Sequence, residues 1–167
     1  MLPITLSPLA LKIGLIGADD GLARRTALLA EAGVEARLLP PNASDDALKG
    51  LNLLFIAGLA EGESRALAAR ARALGVLVNV EDILPLCDFH VPAIVRRGEL
   101  LLTASTGGQV PGLSRRLRER LAGQFGPEWT GRLRDLAVAR ARWRSEGLSP
   151  AEVSQMVRAK VESEGWL

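Results

Sequence analysis

The 167-residue chain predicts an α/β fold, a parallel sheet with crossover helices, continued by a small strand-containing region and a helical C-terminal part. Three observations lead there. Over the first half, short apolar runs alternate with stretches of helical spacing. Glycine follows each long helical stretch, the usual residue just past a helix end. Beyond Gly108 the strand-like runs stop and helical periodicity takes over.

Lys12-Ile13-Gly14-Leu15-Ile16-Gly17 reads as a buried strand ending in a glycine turn. Leu22 to Ala32 carries apolar residues at helical spacing and stops at Gly33. Val34 to Leu39 reads as a second strand, halted by Pro40-Pro41. Ser44 can cap a short helix. Leu51 to Ala57 is a third apolar run. Glu61 to Leu74 is an Ala- and Arg-rich helix ended by Gly75, and Val76 to Val80 is a fourth strand. Strand, helix, strand, helix, strand makes the sheet parallel and Rossmann-like.

The pattern changes at Leu84-Pro85. Strands at Phe89–Val95 and Leu100–Ala104 flank a hairpin loop, and helices follow at about Pro111–Gln124, Glu128–Ser145 and Ser149–Glu164. Ser149 is placed as N-cap with Pro150 at the first helical position. The domains expected are 1–83, 84–110 and 111–167.

Composition narrows the class. No run reaches the ~18 apolar residues of a membrane helix, and the N-terminus lacks the features of a signal peptide. A single cysteine, Cys87, excludes an internal disulfide and a cysteine-cluster metal site, and points to a reducing cytoplasm. Net charge is −2 over residues 1–109 and +4 over residues 110–167. The basic excess is nearly all arginine, which binds carboxylate and phosphate bidentately. A solvated helix face and an anion-binding lid for a polycarboxylate both account for it. Nucleic-acid binding is not expected, since no such motif is present.

Two stretches carry candidate chemistry. Gly17, Ala18, Asp19, Asp20, Gly21 and Leu22 stand where a dinucleotide-binding turn belongs, between first strand and first helix. Asp19 takes the place of the glycine that lets a pyrophosphate approach, and Leu22 that of the usual Gly or Ala. After the second strand, Asn42 stands in for the acidic residue that holds ribose hydroxyls. The turn reads either as a dinucleotide site or as a ligand-free βαβ turn.

The second stretch follows the fourth strand. Asp82 lies at the strand's carboxyl end, where ligands of open parallel sheets bind. It reads as a general base or as a cap for the segment from Ile83. Asn79 suits a nicotinamide or a loop backbone. His90, on the strand expected from Phe89, faces away from its apolar neighbour and is read as structural. Cys87 is read as a small hydrophobe. Ser105-Thr106-Gly107-Gly108 opens an Arg-rich helix and offers backbone N–H groups to a carboxylate, or is a plain strand-to-helix turn. Leu113, Leu117 and Leu121 form a core or partner face, with Arg115, Arg116, Arg118 and Arg120 largely away from it. Trp129, Trp143 and Trp166 are packing anchors.

Val78-Asn79-Val80-Glu81-Asp82, then Phe89-His90-Val91-Pro92-Ala93-Ile94-Val95, then Ser105-Thr106-Gly107-Gly108 occur in an order that resembles the siroheme synthase amino-terminal module, the precorrin-2 dehydrogenase and sirohydrochlorin ferrochelatase family. The likeness runs from Leu2 to about Leu121. It implies NAD-dependent oxidation of precorrin-2 to sirohydrochlorin, with ferrous iron as a further substrate where the chelatase activity is present. It implies Asp82 as the catalytic residue. It assigns Gly17, Ala18, Asp19, Gly21 and Leu22 to the cofactor, to which the reading of the residues adds Asn42 and Asn79. Thr106, Gly107, Gly108 and Arg115 fall to a polycarboxylate tetrapyrrole substrate. It makes residues 84–110 dimerisation strands of a homodimer, while composition and spacing lead to the expectation of no bound metal and no membrane or nucleic-acid partner. The stretch between Arg37 and Leu53 is shorter than in the family, which carries another strand and helix there. The rival readings are a metal chelatase or tetrapyrrole-binding protein without NAD, and a non-catalytic scaffold.

Overall fold

A computed structural model describes residues 2–167 and divides the chain into two compact units, Met1–Val91 and Pro92–Leu167. In the first unit, β1 (Ile13–Gly17), β2 (Arg37–Leu39), β3 (Leu53–Ala57) and β4 (Leu77–Val80) form a parallel sheet in the order β2-β1-β3-β4. The connections are α1 (Asp19–Glu31), α2 (Asp45–Leu48) and α3 (Glu61–Ala73). The β1–β3 pair is the switch point of the sheet, because the chain leaves β1 toward β2 on one side and returns to β3 on the other.

The alternation of strand side chains decides which helix covers which face. Ile16, Leu54, Ile56, Val78 and Val80 pack with Leu48, Leu67, Ala68 and Ala71 from α2 and α3. Ile13, Leu15, Leu53 and Phe55 face the other way, onto Leu29 and Leu22 of α1. With both faces covered, every residue of β3 is buried, which is why Leu53 to Ala57 is an unbroken apolar run. Truncating Leu54 or Ile56, both fully buried, to Ala would cost about 2–5 kcal/mol.

Two boundaries in this unit differ from expectation by three residues. The first helix starts at Asp19, not Leu22, so the two aspartates form its first turn. The second strand starts at Arg37, not Val34, because the Val34 amide donates to Leu29 O at 2.9 Å and ties Val34 to the end of α1. Gly33 sits at φ 69°, the left-handed turn that makes this closure possible. Ser44 caps α2 as expected, accepting from the Ala47 amide at 3.3 Å.

The strand expected from Phe89 begins only at Ala93, and His90 is not on a strand. The reason lies along β4, an edge strand. The Asp88 amide donates to Val78 O at 2.7 Å and Asn79 Nδ2 donates to Phe89 O at 2.9 Å, so residues 88 and 89 run against β4 instead. The Phe89 ring meets Phe55 edge-on at 5.3 Å.

In the second unit, β5 (Ala93–Arg97) and β6 (Leu100–Ala104) form an antiparallel hairpin around Gly98, at φ 58°. Helices α4 (Pro111–Gln124), α5 (Trp129–Ser145) and α6 (Pro150–Ser163) follow. Arg97 reaches back to the end of α4, donating to Phe125 O at 2.8 Å and Ala122 O at 3.3 Å. Trp129 packs on Phe125 and Trp166, and the Arg132 guanidinium lies 5.2 Å from the centre of both indole rings. The tryptophans are anchors, as their sequence context implied. Leu113 and Leu117 remain exposed, at 49% and 39%. No helix among the described residues is long and apolar enough to cross a membrane.

Candidate functional site

The carboxyl ends of β1, β3 and β4 converge on the first turn of α1. Gly17 and Gly21 are small because the backbone crosses there. A Cβ at Gly17 would meet Ala57 O at 2.6 Å, and one at Gly21 would meet the Gly58 amide nitrogen at 2.6 Å. Gly58, at φ 69°, closes over Ala18 O in the same way. The helix N-cap is Ala18, in extended conformation, with no side-chain oxygen to cap the helix. The leading N–H groups of α1 therefore have no intrahelical acceptor and no side-chain cap. By its donors this turn fits a diphosphate.

The same turn carries opposing charge. Asp19 and Asp20 occupy the first turn of α1 and are exposed. Asp19 has φ 47°, the left-handed region, which glycine enters freely and aspartate tolerates. This explains why the usual glycine position is special: the backbone there is turned the same way whichever residue fills it. Asn42 lies beyond β2 on an exposed turn closed by Ala43 N donating to Pro40 O at 2.9 Å.

Asp82 follows β4 at φ 60° and is exposed. Among the described residues its carboxylate has no hydrogen bond or ion pair, so it caps nothing. Asn79, 6% exposed, uses Nδ2 on Phe89 O, while its Oδ1 is buried without a partner. Cys87 does more than fill space. Its Sγ accepts from Val80 N at 3.3 Å and donates to Val80 O at 3.1 Å, closing the β4 edge where a neighbouring strand would lie.

Three residues that sequence reasoning missed complete this corner. Glu81 Oε2 accepts from Arg24 at 3.1 Å, and Glu81 Oε1 lies 3.8 Å from Arg25. Arg25 is largely buried, with its guanidinium over the Phe55 ring at 5.3 Å and its Nε without a partner. Burial lowers the Arg25 pKa against the opposing pull of Glu81, while the hydrogen bond to Glu81 raises that of Arg24. Nothing local flagged this cluster, because Glu81 is 57 residues from Arg24 and the pair meets only once β4 is docked.

The remaining candidates belong to the second unit. The Thr106 hydroxyl accepts from Val110 N at 3.2 Å and lies 3.0 Å from Ser114 Oγ, so it shapes the entry to α4. Gly107 and Gly108 follow at φ 65° and 78°, two successive left-handed residues that require glycine. The α4 N-cap, Val110, has no side-chain acceptor, which leaves the leading N–H groups of that helix free of a side-chain cap. Arg115 is exposed and paired with Glu119 at 3.3 Å. No group of three or more His, Cys, Asp or Glu side chains among the described residues is arranged to hold a metal.

Comparison with known proteins agrees with this frame. Residues 5–93 match the family model described as putative NAD(P)-binding. The siroheme synthase of Nitrosococcus oceani is 34% identical over 164 residues, covering 86% of this chain and 34% of the relative. That of Chromobacterium violaceum is 39% identical over 112 residues, covering 67% of this chain and 23% of the relative. The chain thus spans about a third or less of the length of these curated relatives. Among solved structures, SirC, a precorrin-2 dehydrogenase, superposes with a TM-score of 0.71 at 17% identity, covering 96% of this chain and 89% of that one. That likeness is one of fold.

Proposed function

The chain belongs to the putative NAD(P)-binding family of the siroheme synthase amino-terminal module, and from that premise we propose that it is a precorrin-2 dehydrogenase of siroheme biosynthesis, using NAD. The observation that carries this reading is the carboxylate of Asp82, free of partners among the described residues at the carboxyl end of β4, whose charge acts on Arg24 and Arg25 of α1. NAD, when bound, supplies the acceptor for a hydride from the tetrapyrrole. The Gly17–Leu22 turn would hold its diphosphate and Asn42 its ribose; Asn79, with Nδ2 committed to Phe89 O, would offer its carboxamide only the unpartnered, buried Oδ1. Asp82 takes the proton that the substrate loses as the hydride departs. In the second unit, the Thr106-Gly107-Gly108 turn and Arg115 hold substrate carboxylates, a role suited to helix N–H groups and a guanidinium. The exposed Leu113 and Leu117 face, with the β5–β6 hairpin, serves a homodimer. The reaction belongs in the reducing cytoplasm, with ferrous iron as a further substrate if chelation follows.

The carboxylates of Asp19 and Asp20 favour a second reading, in which the domain binds or metallates sirohydrochlorin without NAD. Asp82→Asn separates the first reading from a scaffold role. We expect kcat for precorrin-2 oxidation to fall by about 100-fold or more with the NAD dissociation constant unchanged. An unaltered kcat would remove Asp82 from the reaction.

A further inference from the structure

We propose that Glu81 is an internal counter-anion, and that an oxyanion of the bound ligand takes its place on Arg24. This inference rests on the dinucleotide and tetrapyrrole reading above. Glu81 is positioned, not placed at random on the surface: its amide donates to Ile56 O at 2.9 Å, and a Cβ built on Gly21 would lie 2.9 Å from its Oε2. Its carboxylate therefore rests against the first turn of α1 at Gly21.

The two arginines it holds differ in freedom. The Arg25 side chain is 12% exposed, pinned over Phe55, while that of Arg24 is 61% exposed. Arg25 needs a counter-charge because it is desolvated. Arg24 does not, and its solvent-exposed guanidinium can exchange one carboxylate for another anion at little cost. The charges of Asp20 and Asp82 also act on Arg24, which therefore stands within electrostatic reach of the nucleotide turn and of the proposed general base. A phosphate of the dinucleotide or a carboxylate of the tetrapyrrole would both satisfy it. Glu81 thereby competes with the ligand for Arg24.

The test is calorimetric titration of the full chain with NAD and, separately, with a polycarboxylate porphyrin. It compares wild type, Glu81→Gln, Arg24→Gln and the double variant. Glu81→Gln is expected to tighten binding about threefold to tenfold. Arg24→Gln should weaken binding and abolish the gain in the double variant. Tightening toward NAD identifies the oxyanion as phosphate; tightening toward the porphyrin alone identifies it as carboxylate. Thermal melts give a second readout: Glu81→Gln should melt lower, and the ligand should raise its Tm more than that of wild type. Binding by wild type that is unchanged or weaker in Glu81→Gln overturns the competition while leaving the functional reading intact. Binding of neither ligand by any of the four proteins overturns that reading and this inference together.

Discussion

Asp88 stands in for a fifth strand along Val78: its amide donates to Val78 O at 2.7 Å and its carboxylate accepts from Val78 N at 2.9 Å. The same carboxylate is held by Arg72 at 2.9 Å. One side chain thus satisfies an edge amide and anchors the α3–β4 layer. An open parallel edge is a liability for aggregation, and covering it is a common solution. Asp88→Ala should lower stability by about 1–3 kcal/mol, the cost of an unpaired part-buried amide. Urea unfolding followed by circular dichroism checks this, and a midpoint equal to that of wild type would deny Asp88 the role.

Gly58 makes the crossing of the β3–α3 loop over α1 possible. A Cβ there would stand 2.3 Å from Ala18 O, at a φ of 69° that favours glycine. Gly58→Ala should cost about 1–3 kcal/mol from overpacking, beyond the φ strain. It should also displace the nucleotide turn, so the loss of NAD affinity would exceed the loss of stability. Equal affinity in the variant would show that the turn tolerates the shift.

Asp19→Gly should act in the opposite direction. The substitution relieves a left-handed L residue, worth about 1–2 kcal/mol, and removes a carboxylate from the proposed diphosphate site. Tighter NAD binding with an equal or higher Tm is the expected result by titration and thermal melt. Unchanged affinity would mean that the Asp19 carboxylate does not oppose the ligand.

The capping box of α6 gives a pH-dependent prediction. Ser149 Oγ and its amide both donate to Glu152 Oε2, at 2.6 and 2.8 Å, and hold the Glu152 carboxyl below its ordinary pKa. A carboxyl depressed in the folded state stabilises above its unfolded pKa. That contribution is lost as pH falls through the lower folded value. Ser149→Ala should cost about 1 kcal/mol at neutral pH. The gap between variant and wild type should narrow under acid conditions, read by urea midpoints across the pH range. A gap that is constant with pH would assign the effect to the hydroxyl alone.

The sequence made the repeated strand–helix units legible because their periodicity is local: β3 ends at Ala57 and α4 runs from Pro111 to Gln124, as read. Gly33 and Ser149 marked helix ends by their own chemistry. The segment 88–92 was not legible. Phe89 looks like strand in sequence, but its carbonyl is taken by the Asn79 side chain, a contact set by the sheet edge. Asp19 and Asp82 stand out by their position after strands, while their left-handed backbone is not encoded by residue type. The Glu81–Arg24–Arg25 cluster needed the tertiary fold, since it joins α1 to the end of β4.

The most direct test of the account is anaerobic incubation of the purified protein with precorrin-2, with and without NAD, followed by absorption spectroscopy. A dehydrogenase gives a sirohydrochlorin spectrum that appears only with NAD and is matched by formation of NADH. A spectrum no different from the protein-free control would contradict it.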